Sequence, residues 1–176
     1  MFLTTSLSPT ALFVIGEVNL TEDQWKYWIS PKTLSLIAEA GWAKYPKETG
    51  GILIGWQLGR IFYIETAIGP GPNAIHKNNG FKRGGDFSQS QLDSIVLETH
   101  GQWDYLGEWH SHPHNVGPSS IDNNSMKKVQ TSPEFNMLQP ILGLIINDRR
   151  VWHFHCYMLS QNQRLIEIPR QEVDNK

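Results

Sequence analysis

Two histidines and an aspartate in the middle of the chain have the types and spacing to bind a metal ion. His110 and His112 are separated by one residue, and Asp122 follows ten residues after His112, close enough for a turn to bring it back. Alternate side chains of a strand point to the same face, so both histidines can approach one ion. Imidazole and carboxylate groups suit zinc, and three protein ligands leave a fourth tetrahedral position for water. These residues predict an open, catalytic zinc site.

The residues around the two histidines make this pattern more specific. A His-x-His pair alone is weak evidence, because most such pairs lie in cores or on surfaces. Here Gly107 precedes the pair, Pro113 follows it, and a Ser-x-x-Asp sequence runs from Ser119 to Asp122. The combination favours metal binding over a chance pair.

Together with an earlier glutamate, these motifs resemble the JAMM family, the MPN+ metalloproteases that cleave ubiquitin-like modifiers from their targets. That family has a glutamate before a glycine-containing apolar strand, then His-x-His-Pro, a loop and Ser-x-x-Asp. The matching residues are Glu48 before residues 50–55, His110 to Pro113, and Ser119 to Asp122. The resemblance spans about residues 30–160 and is greatest to the bacterial JAB branch, which includes proteins of antiphage and ubiquitin-like conjugation operons.

The resemblance implies a role for each of these residues. One zinc ion would be held by His110, His112 and Asp122, and Glu48 would take a proton from water and return it to the leaving amine. Ser119 would donate a hydrogen bond to the oxyanion. The implied fold is a single α/β MPN/JAB domain of cytidine-deaminase-like architecture. A zinc deaminase itself is excluded, because that class needs a Pro-Cys-x-x-Cys motif and the chain has one cysteine.

Two of these assignments have rivals. Glu108 shares the strand face of His110 by alternation and is a second candidate base, although it would point alongside the metal rather than across its water. Only six residues separate His112 from Ser119, where the family usually has seven, which leaves Ser120 as an alternative to Ser119. Ser119 could also cap the helix that presents the aspartate.

Other reactive side chains have simpler explanations. His114 follows the motif on a loop and is interpreted as exposed. His153 and His155 repeat the His-x-His spacing but adjoin no carboxylate motif, so they fit the polar face of a strand. Cys156 continues the apolar face of that strand and is interpreted as core. Lys82-Arg83 could contact a substrate tail or be solvated loop charges.

The flanking elements can be predicted from caps and periodicity. Ser30 and Pro31 begin a helix that Pro46 ends, and residues 50–55 and 60–67 form a hairpin. The turn-rich stretch 69–87 predicts a long irregular loop. Later elements are a helix capped at Ser88 and closed by Gly101, a strand 105–112, a short helix from Ser119 or Ser120 to about Gln130, and strands 140–147, 151–159 and 164–168.

These elements predict a mixed α/β domain, with a central sheet flanked by two main helices. We divide the chain into an N-terminal strand or leader (1–29, with an apolar run at 11–18), a domain (30–169) and a polar tail (170–176). A length of 176 residues fits one domain, and a net charge of -2 does not indicate binding to nucleic acid or to an anionic membrane. One cysteine, no basic signal-like start and no long apolar stretch predict a soluble cytoplasmic protein. The oligomeric state is not predicted.

The predicted function is that of a zinc isopeptidase or peptidase. Its substrate would be the C-terminal linkage of a ubiquitin-like or similarly conjugated protein, whose extended tail lies in a groove walled by the 69–87 loop, with strand addition as one binding mode. The alternative is a non-catalytic MPN scaffold, which would be expected to lack the ligands that this chain retains.

Overall fold

The structure, a computed structural model, describes residues 25–133, 137 and 139–172. The strands in chain order are β1 (Lys26–Ile29), β2 (Gly50–Leu58), β3 (Ile61–Ile68), β4 (Ile75–Lys77), β5 (Gly80–Lys82), β6 (Asp104–His112), β7 (Ile141–Asp148), β8 (Val151–Leu159) and β9 (Leu165–Ile168). Seven of them form one sheet in the order β1-β3-β2-β6-β7-β8-β9, and β4 and β5 form a separate hairpin. The sheet is mixed, because β1–β3 and β6–β7 are parallel whereas the other neighbours are antiparallel.

Three helices cover the two faces of the sheet. They are α1 (Pro31–Lys44), α2 (Gly85–Glu98) and α3 (Ser120–Thr131). On β2, Leu53 packs in the cluster that contains α1, whereas Ile52 and Ile54 pack with α2. On β7, the even-numbered residues from Leu142 to Ile146 pack with Met126 of α3. Since neighbouring strand residues face opposite ways, α1 covers one face, and α2 and α3 cover the other. None of the helices described is long and apolar enough to cross a membrane.

Helix α1 begins and ends as its sequence predicts. Ser30 is the N-cap, its Oγ accepts a hydrogen bond from the Thr33 amide at 3.1 Å, and Pro31 occupies the first turn. Proline suits this position because its missing N–H would have no partner there. The helix ends at Lys44, two residues before Pro46.

The structure corrects three other expectations. Helix α2 begins at Gly85 behind an N-cap at Gly84, so the cap predicted at Ser88 is wrong. Ser88 lies inside the helix, where its hydroxyl donates to the Gly84 carbonyl at 3.4 Å. The stretch 69–87 is not wholly irregular, because it contains the β4–β5 hairpin. The helices number three of similar length among the residues described, rather than two main ones.

At the N-terminal end, the structure adds a strand that was not predicted separately. Strand β1 lies before residue 30, where we placed the start of the domain, and it pairs with β3. The predicted strand or leader at residues 11–18 and the end of the tail at 173–176 lie outside the described residues.

A bulge in β6 determines which face carries the two histidines. Leu53 of β2 pairs with Gly107 and Ile54 pairs with Tyr105, so Leu106 is an extra residue. A Cβ atom at Gly107 would overlap the carbonyl of Ile141, and its φ of 156° also favours glycine. Tyr105 packs on the α2 side, whereas Leu106 and Trp109 both pack on the α1 side. The bulge thus shifts the alternation by one residue, which places Glu108, His110 and His112 on the face of α2 and α3.

Candidate metal centre

The three predicted ligands converge at the end of β6. Their ligand atoms all lie within 4.8 Å of one another, and they form the one such group of His, Cys, Asp or Glu in the part of the chain that the structure describes. The Nε2 atoms of His110 and His112 are 3.0 Å apart, and Asp122 Oδ1 lies 3.1 Å from His110 Nε2. Asp122 Oδ2 lies 3.7 Å from His112 Nε2.

These separations suit one tetrahedral ion. Two donors about 2.0–2.2 Å from a zinc ion at the tetrahedral angle would lie roughly 3.3–3.6 Å apart. The observed separations of 3.0 to 3.7 Å bracket this range. A pair of imidazoles and a carboxylate is also a donor set that zinc prefers. The residues present therefore fit a zinc ion.

A backbone carbonyl fixes the orientation of one imidazole. His112 Nδ1 lies 2.9 Å from the Val116 carbonyl oxygen. A carbonyl oxygen only accepts, so Nδ1 carries the proton and the Nε2 lone pair faces the other ligand atoms. This is the usual way in which a partner outside the ligand set determines which imidazole nitrogen binds a metal.

The third ligand is presented by the first turn of α3. Ser119 is the N-cap: its Oγ accepts from the Asp122 amide at 3.2 Å, and its own amide donates to Asp122 Oδ2 at 2.6 Å. Burial would raise the pKa of Asp122, but the hydrogen bond and charge of His110 and the contacts with Ser119 together hold it below its usual range. The structure thus uses Ser119 and not Ser120 in the capping box, and the Ser119 side chain also hydrogen-bonds to the Asp122 carboxylate.

A cavity of about 720 Å³ opens beside these ligands. We call the part lined by Glu48 and the three ligands its polar end. The rest of the lining includes polar residues such as Asn78, Lys82 and Ser125, together with the apolar side chains of Phe81, Val116, Ile121, Met126, Val129 and Leu142. Ile121 and Val116 are exposed at its rim. The cavity runs between the β4–β5 hairpin and α3. Residues of the 69–87 stretch, which was predicted to form a wall of the substrate groove, therefore line it.

Glu48 lies at the polar end of this cavity, two residues before the start of β2, the strand that pairs with β6. Burial raises the pKa of its carboxyl group, and the nearby charge of Asp122 raises it further, whereas His112 and a backbone hydrogen bond from Gly80 lower it. The charges of two predicted ligands therefore act on this carboxylate. A carboxylate with a raised pKa, held near a metal site, has the properties of a general base.

Glu108, the rival base, is engaged in other contacts. Its Oε1 atom lies 3.0 Å from Arg83 Nη1 and accepts a hydrogen bond from the Tyr105 hydroxyl at 2.8 Å. Burial raises the pKa of Glu108, and Arg83 and Tyr105 oppose that rise. The Arg83 guanidinium is bound to the Glu108 carboxylate and is not a free charge in the loop. The bulge at Leu106 makes the contact possible, because it brings Tyr105 and Glu108 to one face.

The other reactive side chains considered from the sequence do not join the three predicted metal ligands. His114 is exposed at the rim of the cavity. His155 Nδ1 lies 2.8 Å from a carboxylate oxygen of Glu167, a partner from β9 that local sequence could not reveal. Cys156 is fully buried in the core beneath α1, and burial raises the pKa of its thiol.

Sequence reasoning missed two residues that contact the segment of Glu48. Ser111, between the two histidines, accepts a hydrogen bond from the Thr49 amide at 2.9 Å. His76 of β4 lies with Nδ1 2.9 Å from the Glu48 carbonyl oxygen. Both contacts join residues far apart in the chain, so no local pattern indicates them.

Comparisons with known proteins show which family this chain is similar to. The model for prokaryotic homologues of the JAB domain matches residues 30–164. A probable metalloprotease of Sinorhizobium fredii is 24% identical over 83% of this chain and 91% of its own length. Two proteins named CD-NTase/cGAS isopeptidase are also similar. The Escherichia coli protein is 31% identical over 60% of this chain and 65% of its own length, and the Vibrio cholerae protein is 33% identical over 54% and 62%.

A solved structure shows the same fold at low identity. The solution structure of a Desulfitobacterium hafniense protein superposes with a TM-score of 0.58, covering 84% of this chain and 95% of that one at 17% identity. The family model covers most of the chain and includes every residue of the candidate site. The chain therefore belongs to the family of prokaryotic homologues of the JAB domain.

Proposed function

We propose that this protein is a zinc-dependent isopeptidase or peptidase. It would cleave the C-terminal linkage of a ubiquitin-like or similarly conjugated protein, within a bacterial defence or conjugation system. The observation that carries the proposal is the convergence of His110, His112 and Asp122 beside Glu48 at the polar end of one cavity. A metalloprotease and two isopeptidases among the relatives support the reaction class.

The side chains divide the chemistry between them. When bound by the two histidines and the aspartate, zinc supplies Lewis-acid chemistry, which acidifies water and polarises a carbonyl group. The Glu48 carboxylate takes a proton from the attacking water and returns it to the leaving amine nitrogen. The Ser119 hydroxyl donates to the scissile carbonyl oxygen as negative charge develops there. His112 stays in one tautomer because Val116 holds its Nδ1 proton.

The shape of the cavity favours an extended substrate. Its apolar side chains suit those of a tail, and β5 at one side pairs with β4 alone among the strands described, which leaves its other edge without a strand partner for strand addition. The polar end then receives the scissile bond. A catalytic enzyme is favoured over a non-catalytic scaffold because the complete ligand set and Glu48 occupy one site.

A cleavage assay tests the proposal. Fusions that join a ubiquitin-like tail to a reporter, by a peptide bond or a lysine isopeptide bond, are incubated with the purified protein, and the cut is located by mass spectrometry. The names of two relatives make a conjugated CD-NTase a further substrate to include. We expect cleavage that a chelator abolishes and zinc restores, and that Glu48→Gln lowers by about 10²–10⁴-fold without loss of zinc.

Two results would contradict this expectation. Cleavage that resists both the chelator and Glu48→Gln would reject the metal mechanism. Zinc binding without cleavage of any fusion would favour the scaffold alternative.

A further inference from the structure

We propose that the β4–β5 hairpin is a clamp that holds Glu48 in position, and that His76 is its main positioning residue. We define the clamp by His76, Lys77 and Gly80, the three hairpin residues that bond to Glu48. This inference rests on the proposed role of Glu48 as the base. It assigns the hairpin a part in turnover, in addition to forming a wall of the cavity.

The clamp holds the backbone of Glu48 on both sides of its Cα atom. The Glu48 amide donates to the Lys77 carbonyl at 2.8 Å. The Glu48 carbonyl oxygen lies 2.9 Å from His76 Nδ1 and can only accept, so the imidazole donates to it. Consecutive residues of β4 thus bind the two polar backbone groups of one residue. Glu48 lies just before β2 begins at Gly50, so ladder pairing within the sheet does not hold it.

The clamp also contacts the reacting side chain. A backbone hydrogen bond from Gly80 reaches the carboxyl group of Glu48. Gly80 is the first residue of β5, directly opposite Lys77 in the hairpin. The hairpin therefore holds the backbone of Glu48 with β4 and its carboxylate with β5.

Two sets of contacts attach the hairpin to the sheet. Phe81, paired with His76 across the hairpin, packs over Gly50, where an added Cβ would lie 2.9 Å from the Phe81 ring. Arg83 follows β5 and bonds to Glu108 at 3.0 Å, and Tyr105 holds the same carboxylate at 2.8 Å. The Arg83–Glu108 pair thus fixes the end of the hairpin to the strand that carries the metal ligands.

This arrangement has a kinetic consequence that differs from substrate binding. A base displaced by a fraction of an ångström transfers a proton less well, although the groove still binds its substrate. Loss of the His76 contact should therefore lower kcat more than it raises KM. A hairpin that only gripped substrate would show the opposite pattern.

The kinetic test compares His76→Ala with a rescue and a control variant. We expect His76→Ala to lower kcat on a cleaved fusion roughly tenfold, the effect of one hydrogen bond, with KM and zinc content unchanged. His76→Asn places an amide donor where Nδ1 was and should restore most of the loss. The control, Ile75→Thr, changes an exposed side chain of the same strand and should match the wild type. In a Glu48→Gln background, His76→Ala should have no further effect.

Amide hydrogen exchange of the zinc-free protein tests the clamp independently of activity. We expect His76→Ala to speed exchange of the Glu48 amide roughly tenfold, whereas Ile75→Thr should not. Unchanged exchange, or a His76→Ala effect that persists in full in the Glu48→Gln background, would overturn the proposal. A wild-type protein that cleaves nothing would reject the proposed function and leave exchange to decide the clamp. If His76→Ala did not fold, Arg83→Gln would replace it, and a larger effect on KM than on kcat would then overturn the proposal.

Discussion

The chain contains two His-x-His segments on strands, and only one of them forms a candidate metal centre. His110 and His112 lie on β6 with side chains 14% and 7% exposed, and Asp122 joins them from α3. His153 and His155 lie on β8; His155 is 33% exposed and bonds to Glu167 of β9, which is 54% exposed. Both pairs have the same spacing and the same local structure.

The difference lies in what surrounds each pair. Beside β6, a helix begins at the ligand site and presents a carboxylate from its first turn, and the Val116 carbonyl orients one imidazole. Beside β8, the carboxylate comes from the exposed face of a neighbouring strand. The spacing of two histidines alone therefore does not form a metal site. A third ligand in a fixed, partly buried position is also needed.

The largest expected effect comes from removing the ligands. Alanine at His110, His112 or Asp122 should abolish zinc retention and cleavage, because two remaining donors do not complete the site. Alanine at His153 or His155 is the matched control and should change zinc content and kcat little. Metal analysis and the cleavage assay on the same samples measure both. Zinc loss from the β8 variants would show that the two pairs differ less than their surroundings suggest.

The next effect concerns the helix start that only the β6 pair possesses. Ser119→Ala should lower kcat by roughly 10²–10³-fold, the usual loss of one oxyanion donor. It should also cost about 1 kcal/mol in the free energy of unfolding, because the cap of α3 is lost. Ser120→Ala is the control, with no partner in the capping box. Equal kinetics for the two variants would leave Ser119 with its capping role alone.

The smallest effect is a pH dependence of stability in the zinc-free protein. The folded pKa of Asp122 is below its unfolded value of about 3.9, so its contribution is present above that pH and is lost as pH falls through the folded pKa. Asp122→Asn should therefore lower the free energy of unfolding by about 1–2 kcal/mol near neutral pH. This difference in stability between the variant and the wild type should become smaller below about pH 4. Denaturant unfolding measures it.

Glu167→Gln provides the comparison for this measurement. Its partly exposed pair with His155 should be worth about 0–1 kcal/mol. If the loss of unfolding free energy caused by Asp122→Asn stayed constant down to about pH 2.5, the lowered pKa of Asp122 would be contradicted.

The sequence predicted what depends on near neighbours in the chain. The cap at Ser30, the end of α1 before Pro46 and the meeting of Asp122 with the two histidines all involve short separations. The predicted start of α2 was wrong because Ser88 has the side chain of an N-cap, whereas the helix already begins at Gly85 with Gly84 as its N-cap.

Contacts between distant segments could not be predicted. The ion pair of Arg83 with Glu108 and the hydrogen bond of His76 to Glu48 join elements whose approach depends on the whole sheet. They also changed the interpretation of two residues. Glu108 is held by partners, and Arg83 anchors the hairpin instead of lying free for a substrate.

The single extra residue in β6 has a consequence for how this fold could lose its chemistry. If β6 were straightened so that Leu106 joined the regular pairing, its residues would alternate simply from Tyr105, and both imidazoles would turn into the apolar layer beneath α1. Every ligand would still be present in the gene, and a motif search would still find them. A single substitution at Gly107, where a Cβ would overlap the Ile141 carbonyl, could therefore disturb the bulge and convert a hydrolase of this fold into an inert binding module.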